Sequence, residues 1–116
     1  MNPEDTEVYR LLLASTTLPL LILDQESLRI LDVSDQACRL YGYSRAELIG
    51  KPGQELRPAD EVSRFEKYLA QEMIYGDAGA WVHKKKDGTT VRVNIRYHAI
   101  EYAGRKARFI IVTPLD

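Results

Sequence analysis

The side chains able to do chemistry are few and widely spaced. The chain has one cysteine, Cys38, two histidines, His83 and His98, a lysine run at Lys84–Lys86, and an acidic pair at Asp60 and Glu61. A lone cysteine beside the apolar face of a short helix reads as a small buried hydrophobe, and it cannot form an intramolecular disulfide. Asp60 and Glu61 stand where a helix begins, where the dipole favours negative charge. The lysines fall on a hairpin tip, where charge is solvated and blunts a sheet edge. His98 lies on a wet strand face. His83 depends on the turn that follows it. A two-residue turn at Asp87-Gly88 sends it outward, whereas a three-residue loop, Lys86-Asp87-Gly88 with Gly88 left-handed, turns Trp81 and His83 inward. The residues alone leave both open. Even inward, His83 reads as a hydrogen-bonding core or rim residue. No Gly-rich phosphate loop, metal-ligand pattern or Ser/His/Asp spacing occurs, so no catalytic residue is expected and the chain does not read as an enzyme.

The bulk numbers narrow the function classes. At 116 residues the chain fits one domain able to bury a core without staples. Sixteen basic against seventeen acidic residues leave a formal charge of −1, which gives no field for nucleic acid or an anionic membrane. The longest apolar run, Leu18 to Leu23, is far below the roughly 20 residues that span a bilayer. With no leader and no cysteine pair, a cytoplasmic setting without membrane contact is the default expectation.

The elements that must carry these residues follow from pattern. Asn2, Pro3, Glu4 and Asp5 suit a helix start, and Pro19 stops that helix near Thr17. Leu20–Leu23 and Arg29–Val33 read as a hairpin around Asp24–Ser27. Ser34 can cap a short helix ending at Tyr41, with Gly42 as its left-handed stop. Ser44 and Glu47 have capping-box spacing, flanked by Tyr43 and Leu48 as a hydrophobic staple, and Gly50 ends this second helix. A longer helix starts near Pro58 and carries Val62, Phe65, Leu69 and Met73 on one stripe. Period-two alternation then marks Ala80–Lys85, Val91–Ala99 and the apolar Ala107–Val112 as strands. The predicted fold is α+β: a five-stranded antiparallel sheet, short helices and one longer helix covering its concave face, and an N-terminal flanking helix. Residues 1–17 form the flanking helix and residues 18–116 the domain.

Several words in this order resemble the PAS (Per-Arnt-Sim) sensor-domain family. They are Leu21-Ile22-Leu23-Asp24, then Ile30 through Cys38, then Leu40 through Gly50, and later Trp81 through Thr89. The resemblance covers about residues 18 to 116. Family members commonly use the three-residue loop, so the resemblance implies that Trp81 and His83 turn inward. It implies a signalling module, often dimeric, joined to a kinase, cyclase or transcriptional output. Light-oxygen-voltage members carry their flavin-reactive cysteine where this chain has Gly53, so a flavin photoadduct is not expected. Haem-binding members take a histidine from the long helix, which here has none, so haem is not expected either. The cofactor, if any, stays unassigned.

The remaining candidates are apolar. Leu21, Leu23, Val93, Ile95, Tyr97, Ile110 and Val112 on strands, with Leu40, Leu48, Leu56, Val62, Phe65 and Leu69 on helical segments, aim between sheet and helices, joined by His83. They fill a dry core or line a cavity of roughly 300 Å³ or more, and residue type does not separate the two. Tyr97 and Thr113 are the polar groups available, so a ligand would be small and apolar or aromatic. Val8, Leu11 and Leu12 are expected to cover the outer sheet face or pair with a second chain. Family members often continue from an Asp-x-Thr word into a linker, and Asp116 matches its aspartate, so the resemblance implies a linked output domain. Two functions compete: a sensor module, as in histidine kinases, diguanylate cyclases or transcription regulators, and a ligand-free dimerisation or docking domain.

Overall fold

The computed structural model describes residues 3–71 and 73–115. In chain order it contains α1 (Pro3–Ser15), β1 (Leu20–Asp24), β2 (Ile30–Val33), α2 (Asp35–Tyr41) and α3 (Arg45–Leu48). Two 3-10 turns, Gly53–Leu56 and Ala59–Glu61, lead to α4 (Val62–Leu69), β3 (Tyr75–Lys84), β4 (Thr90–Tyr102) and β5 (Arg105–Pro114). The strands form one antiparallel sheet in the order β2-β1-β5-β4-β3. Together with its helices this is the expected α+β architecture. Asn2 and Asp116, which figure in the sequence reading, lie outside the described residues.

Local chemistry fixes the short helices. The Ser34 hydroxyl accepts from the Ala37 N–H, and Gly42, at φ 80°, closes α2 by donating to Cys38 O. Ser44 and Glu47 form both arms of the capping box on α3. Neither helix is long enough to stand alone. Ala37, Tyr41 and Leu48 instead bury themselves against the sheet, with Leu21, Leu23, Val93, Ile95 and Val112 across from them.

Three departures from the sequence pattern have physical causes. The longer helix does not run from Pro58 to Met73: Ala59–Glu61 tightens into a 3-10 turn, and α4 stops at Leu69. Its end is held from outside, because Gln25 Nε2 donates to Leu69 O (2.6 Å) and Arg108 Nη2 to Gln71 O (2.5 Å), satisfying carbonyls a helix terminus orphans. Met73 is therefore off the helix and exposed. Strand β3 starts at Tyr75 instead of Ala80, since a bulge between Asp77 and Gly79, with Gly79 at φ 82°, lets pairing continue through a glycine-rich stretch.

The third departure concerns α1. It does cover the outer sheet face, but not through Val8, Leu11 and Leu12, which are 53%, 66% and 46% exposed. Thr6, Tyr9 and Leu13 face the sheet instead, and Tyr9 and Leu13 join Leu20, Ile22, Tyr102 and Ala107 in a second apolar cluster. That stripe has the helical spacing of three and four and adds polar anchors. Thr6 Oγ1 accepts from the Ala103 N–H (3.1 Å), Arg10 Nε donates to Tyr102 Oη (3.3 Å), and Tyr9 packs against Phe109 with ring centroids 5.7 Å apart.

Candidate functional site

Between the sheet and α4 lies a cavity of about 40 Å³. Leu21, Leu23, Leu56, Phe65, Leu69, His83, Ile95, Tyr97 and Ile110 line it, as do Ile30, Gly53, Arg57, Tyr68, Ala78, Trp81 and Arg108. Leu48, Val93 and Val112 are fully buried in the same core but do not line the cavity, and Leu40 packs against that core from its margin. Val62 is only half-buried and takes no part in the lining. A space this small is far below the roughly 300 Å³ of an ordinary ligand pocket and holds about three water-sized groups. The apolar candidates thus divide into cavity wall and packed core.

The hairpin between β3 and β4 takes the three-residue form. Lys85 N donates to Thr89 O, Gly88 N to Lys85 O, and Gly88 sits at φ 87°. Trp81 and His83 accordingly face inward, and His83 is 1% exposed. His98 faces out and stacks on Tyr75. Lys86 turns back over α3 to pair with Glu47 at 2.7 Å, and its N–H donates to Tyr41 O, so the tip also closes the helical layer. Lys86 and the cap N–H hold the Glu47 carboxyl down at about 2.

His83 belongs to a buried chain of three groups. Arg57 Nη1 donates to His83 Nε2, and His83 Nδ1 lies 2.6 Å from Tyr41 Oη. Arginine can only donate, so Nε2 must be the unprotonated nitrogen and the neutral ring carries its proton on Nδ1. That N–H then donates to the Tyr41 oxygen. Burial and the neighbouring Arg57 charge both keep the imidazole neutral, well below its usual pKa. Burial likewise pushes the Tyr41 phenol up.

The expectation that few polar groups point inward is not met. Arg57 ends its 3-10 turn in extended backbone (φ −131°, ψ 145°), the conformation proline imposes on the residue before it. Its guanidinium lies 3.7 Å over the Phe65 ring, and its Nε is buried with no acceptor among the described residues. Burial lowers its pKa to about 10. Arg108, 2% exposed, enters from β5, donating from Nε to Gln25 Oε1 at 2.7 Å and sitting 4.8 Å over the Tyr97 ring. Tyr68 completes this side: its hydroxyl donates to Tyr97 Oη, which in turn donates to Met73 Sδ (3.2 Å), and burial raises the Tyr68 phenol to about 12. Among the described residues no carboxylate comes within ion-pair distance of either arginine. Arg108 was legible by alternation with Ile110 and Val112, and Arg57 only through the proline after it. Thr113 is exposed at the end of β5 and does not reach the cavity.

Cys38 is half-buried on α2 and packs against the core. Burial and Asp35 raise its thiol pKa, the opposite of what a reactive thiolate needs. No cluster of three or more His, Cys, Asp or Glu side chains fit to hold a metal occurs among the described residues. No helix among them is long and apolar enough to cross a membrane.

A PAS domain family model matches residues 18–114. The chain belongs to the PAS family. Solved PAS domains share its fold at low identity. The PAS domain of an HTR-like protein from Haloarcula marismortui is 17% identical, with a TM-score of 0.78 over 97% of this chain and 93% of that one. One from a two-component sensor histidine kinase is 16% identical, with a TM-score of 0.75 over 96% of each chain. The PAS domain of a LuxR-family transcriptional regulator from Burkholderia thailandensis, solved in complex with ethanol, is 19% identical, with a TM-score of 0.70 over 92% of this chain and 96% of that one. No curated protein matches this PAS domain by sequence.

Proposed function

We propose that this PAS domain is the sensory module of a larger cytoplasmic signalling protein, reading its input on the inner sheet face and relaying it through α1. One observation supports this above the others. The cavity and α1 lie against opposite faces of the same strands. Leu21 and Leu23 of β1 line the cavity while Leu20 and Ile22 hold α1, and on β5 Ile110 lines the cavity while Ala107 belongs to the outer cluster. One layer of backbone separates input from output. A shift on either side is then felt on the other, because packed interiors transmit strain. Ethanol, the molecule bound in the Burkholderia regulator's PAS domain, is of the size this cavity suits.

The exposed side of α1 provides the output surface. Val8, Leu11 and Leu12 remain open after the helix has docked, and the partner that fits them best is the same stripe of a second copy. The relayed signal then passes to a covalently linked output domain of the kinase, cyclase or transcription-regulator kind. Sedimentation equilibrium of the whole chain tests this. The wild type is expected to dimerise and Leu11→Asp to be monomeric with unchanged folding, whereas an equal oligomeric state of the two overturns the relay.

A second reading is favoured by the smallness of the cavity: a ligand-free docking domain that sets the geometry of its output enzyme. Native mass spectrometry separates the two. A mass above that of the chain supports sensing, and a bare mass that no added small molecule changes supports docking.

A further inference from the structure

Among the described residues the inner cavity is lined by two arginines and by no acidic side chain. Buried charges are normally paired, since one left without a partner is strongly destabilising. Arg108 spends its Nε and Nη2 on neutral acceptors, Gln25 and the carbonyls of Leu69 and Gln71, which fix it without cancelling its charge. Arg57 is less complete still. Its Nη1 is taken by His83, its face lies on Phe65, and its buried Nε has no acceptor among the described residues. Glu61 influences Arg57 only at a distance, because its carboxylate is engaged by Arg64 and by the Val82 N–H.

His83 does not neutralise the site either. Its Nε2 accepts from Arg57 and its Nδ1–H faces Tyr41, so the ring stays neutral. Arg57 lines the cavity, and with Nη1 committed its Nε edge, buried and unpartnered among the described residues, is the one left to bind a carboxylate through two parallel N–H bonds. Around it the wall is hydrocarbon, from Leu21, Leu23, Leu56 and Ile95. The available 40 Å³ takes about three water-sized groups. Charge, edge and volume agree on one class of molecule.

We propose that the cavity binds a short-chain monocarboxylate of the size of formate or acetate, held by the Nε edge of Arg57, with Arg108 supplying a second positive field. This rests on the reading of the cavity as the sensory site and names its ligand class. It also replaces the purely apolar ligand expected from the sequence. No covalent step is involved.

Trp81, the only tryptophan, lines the cavity 5.8 Å from the Arg57 guanidinium, so its emission reports on the site. The test titrates sodium acetate, sodium formate and acetamide into the full chain at constant ionic strength, balanced with sodium gluconate, an anion too large to enter. Acetate and formate are expected to change Trp81 emission saturably and to raise Tm, while acetamide, of acetate's shape but neutral, does neither. Arg57→Gln, which keeps a donor for His83, should weaken acetate about tenfold or more, because a charge-assisted fork is lost, and its ligand-free Tm should not fall. Arg57→Lys should fall between the two. Acetamide binding as tightly as acetate overturns the anion assignment and leaves a sensory cavity standing. An absence of saturable response to acetate and formate, or unchanged acetate binding in both Arg57 variants, overturns it as well. The acetate–acetamide comparison in the wild type decides the matter even if a variant fails to fold.

Discussion

The two faces of the sheet are both apolar and differ in what they leave unfinished. The outer face is closed by α1 through a seam of Leu13, Leu20, Ile22, Tyr102 and Ala107, and among the described residues none of its buried side-chain polar atoms lacks a partner. Asp32, for example, accepts from Tyr102 (2.5 Å), from Val33 N (2.9 Å) and from Arg45. The inner face buries more hydrocarbon and yet keeps a small void and two guanidinium groups without acidic partners among the described residues. A core selected only for stability would fill the void and remove the charges. The lesson is that the outer face is built to hold and the inner face to hold while keeping a place open.

The largest expected effect breaks the inner face. Phe65→Ala removes a buried ring that backs both the cavity and Arg57, and should cost about 3–5 kcal/mol. Urea unfolding would show one cooperative transition at a lower midpoint. Leu13→Ala on the outer face should cost less, about 2–3 kcal/mol, and free α1 before the rest. Hydrogen exchange should then rise within Pro3–Ser15 while β4 and β5 stay protected. If the two variants lose protection in the same regions, the faces are not distinct.

The next effect is a pH dependence confined to the inner face. His83 is neutral in the folded protein, its pKa held well below 6.5 by burial and then by Arg57. Below the unfolded value the unfolded chain takes up a proton that the folded one refuses. Stability is therefore fully present above about pH 6.5 and falls by up to about 1.4 kcal/mol per pH unit beneath it, until the folded pKa is reached. His83→Gln should flatten that slope between pH 6.5 and 5. Asp24, beside Arg105 and the Ser27 N–H, is held below the carboxylate range, so its contribution is present above about pH 4 and lost only in stronger acid. The two windows can be separated in one titration.

The smallest effect is a gain on the outer side. Ala103 occupies a left-handed position (φ 49°) in the two-residue turn before Gly104, where an L-residue with a Cβ is strained. Ala103→Asn should stabilise by about 0.5 kcal/mol, keeping the backbone N–H that Thr6 accepts. A loss of Tm would mean that the turn is already at its optimum.

Much of this was legible in the chain. Ser34, Gly42, Ser44 and Glu47 announce both short helices, because caps are local and depend on few neighbours. Alternation along β4 placed Val93, Ile95 and Tyr97 on the inner face. The choice of hairpin loop, and so the direction of His83, was open in the residues and is settled by the Lys85–Thr89 and Gly88–Lys85 bonds. What stayed hidden was long-range. Either of two stripes could have docked α1, and the turn at Ala103 together with Tyr102 decides for Thr6, Tyr9 and Leu13. Arg57 lies in irregular backbone without a period to read. The size of the cavity is a small difference between large volumes, which residue types do not encode.

The account stands on the coupling of the two faces through a single sheet. Ala78 borders the cavity and packs against the inner core, so Ala78→Val adds bulk where a bound molecule would sit. Hydrogen exchange within Pro3–Ser15 of this variant is the direct measurement. Altered protection of α1, with β4 and β5 still protected, is the expected result. Identical α1 protection in variant and wild type would contradict it.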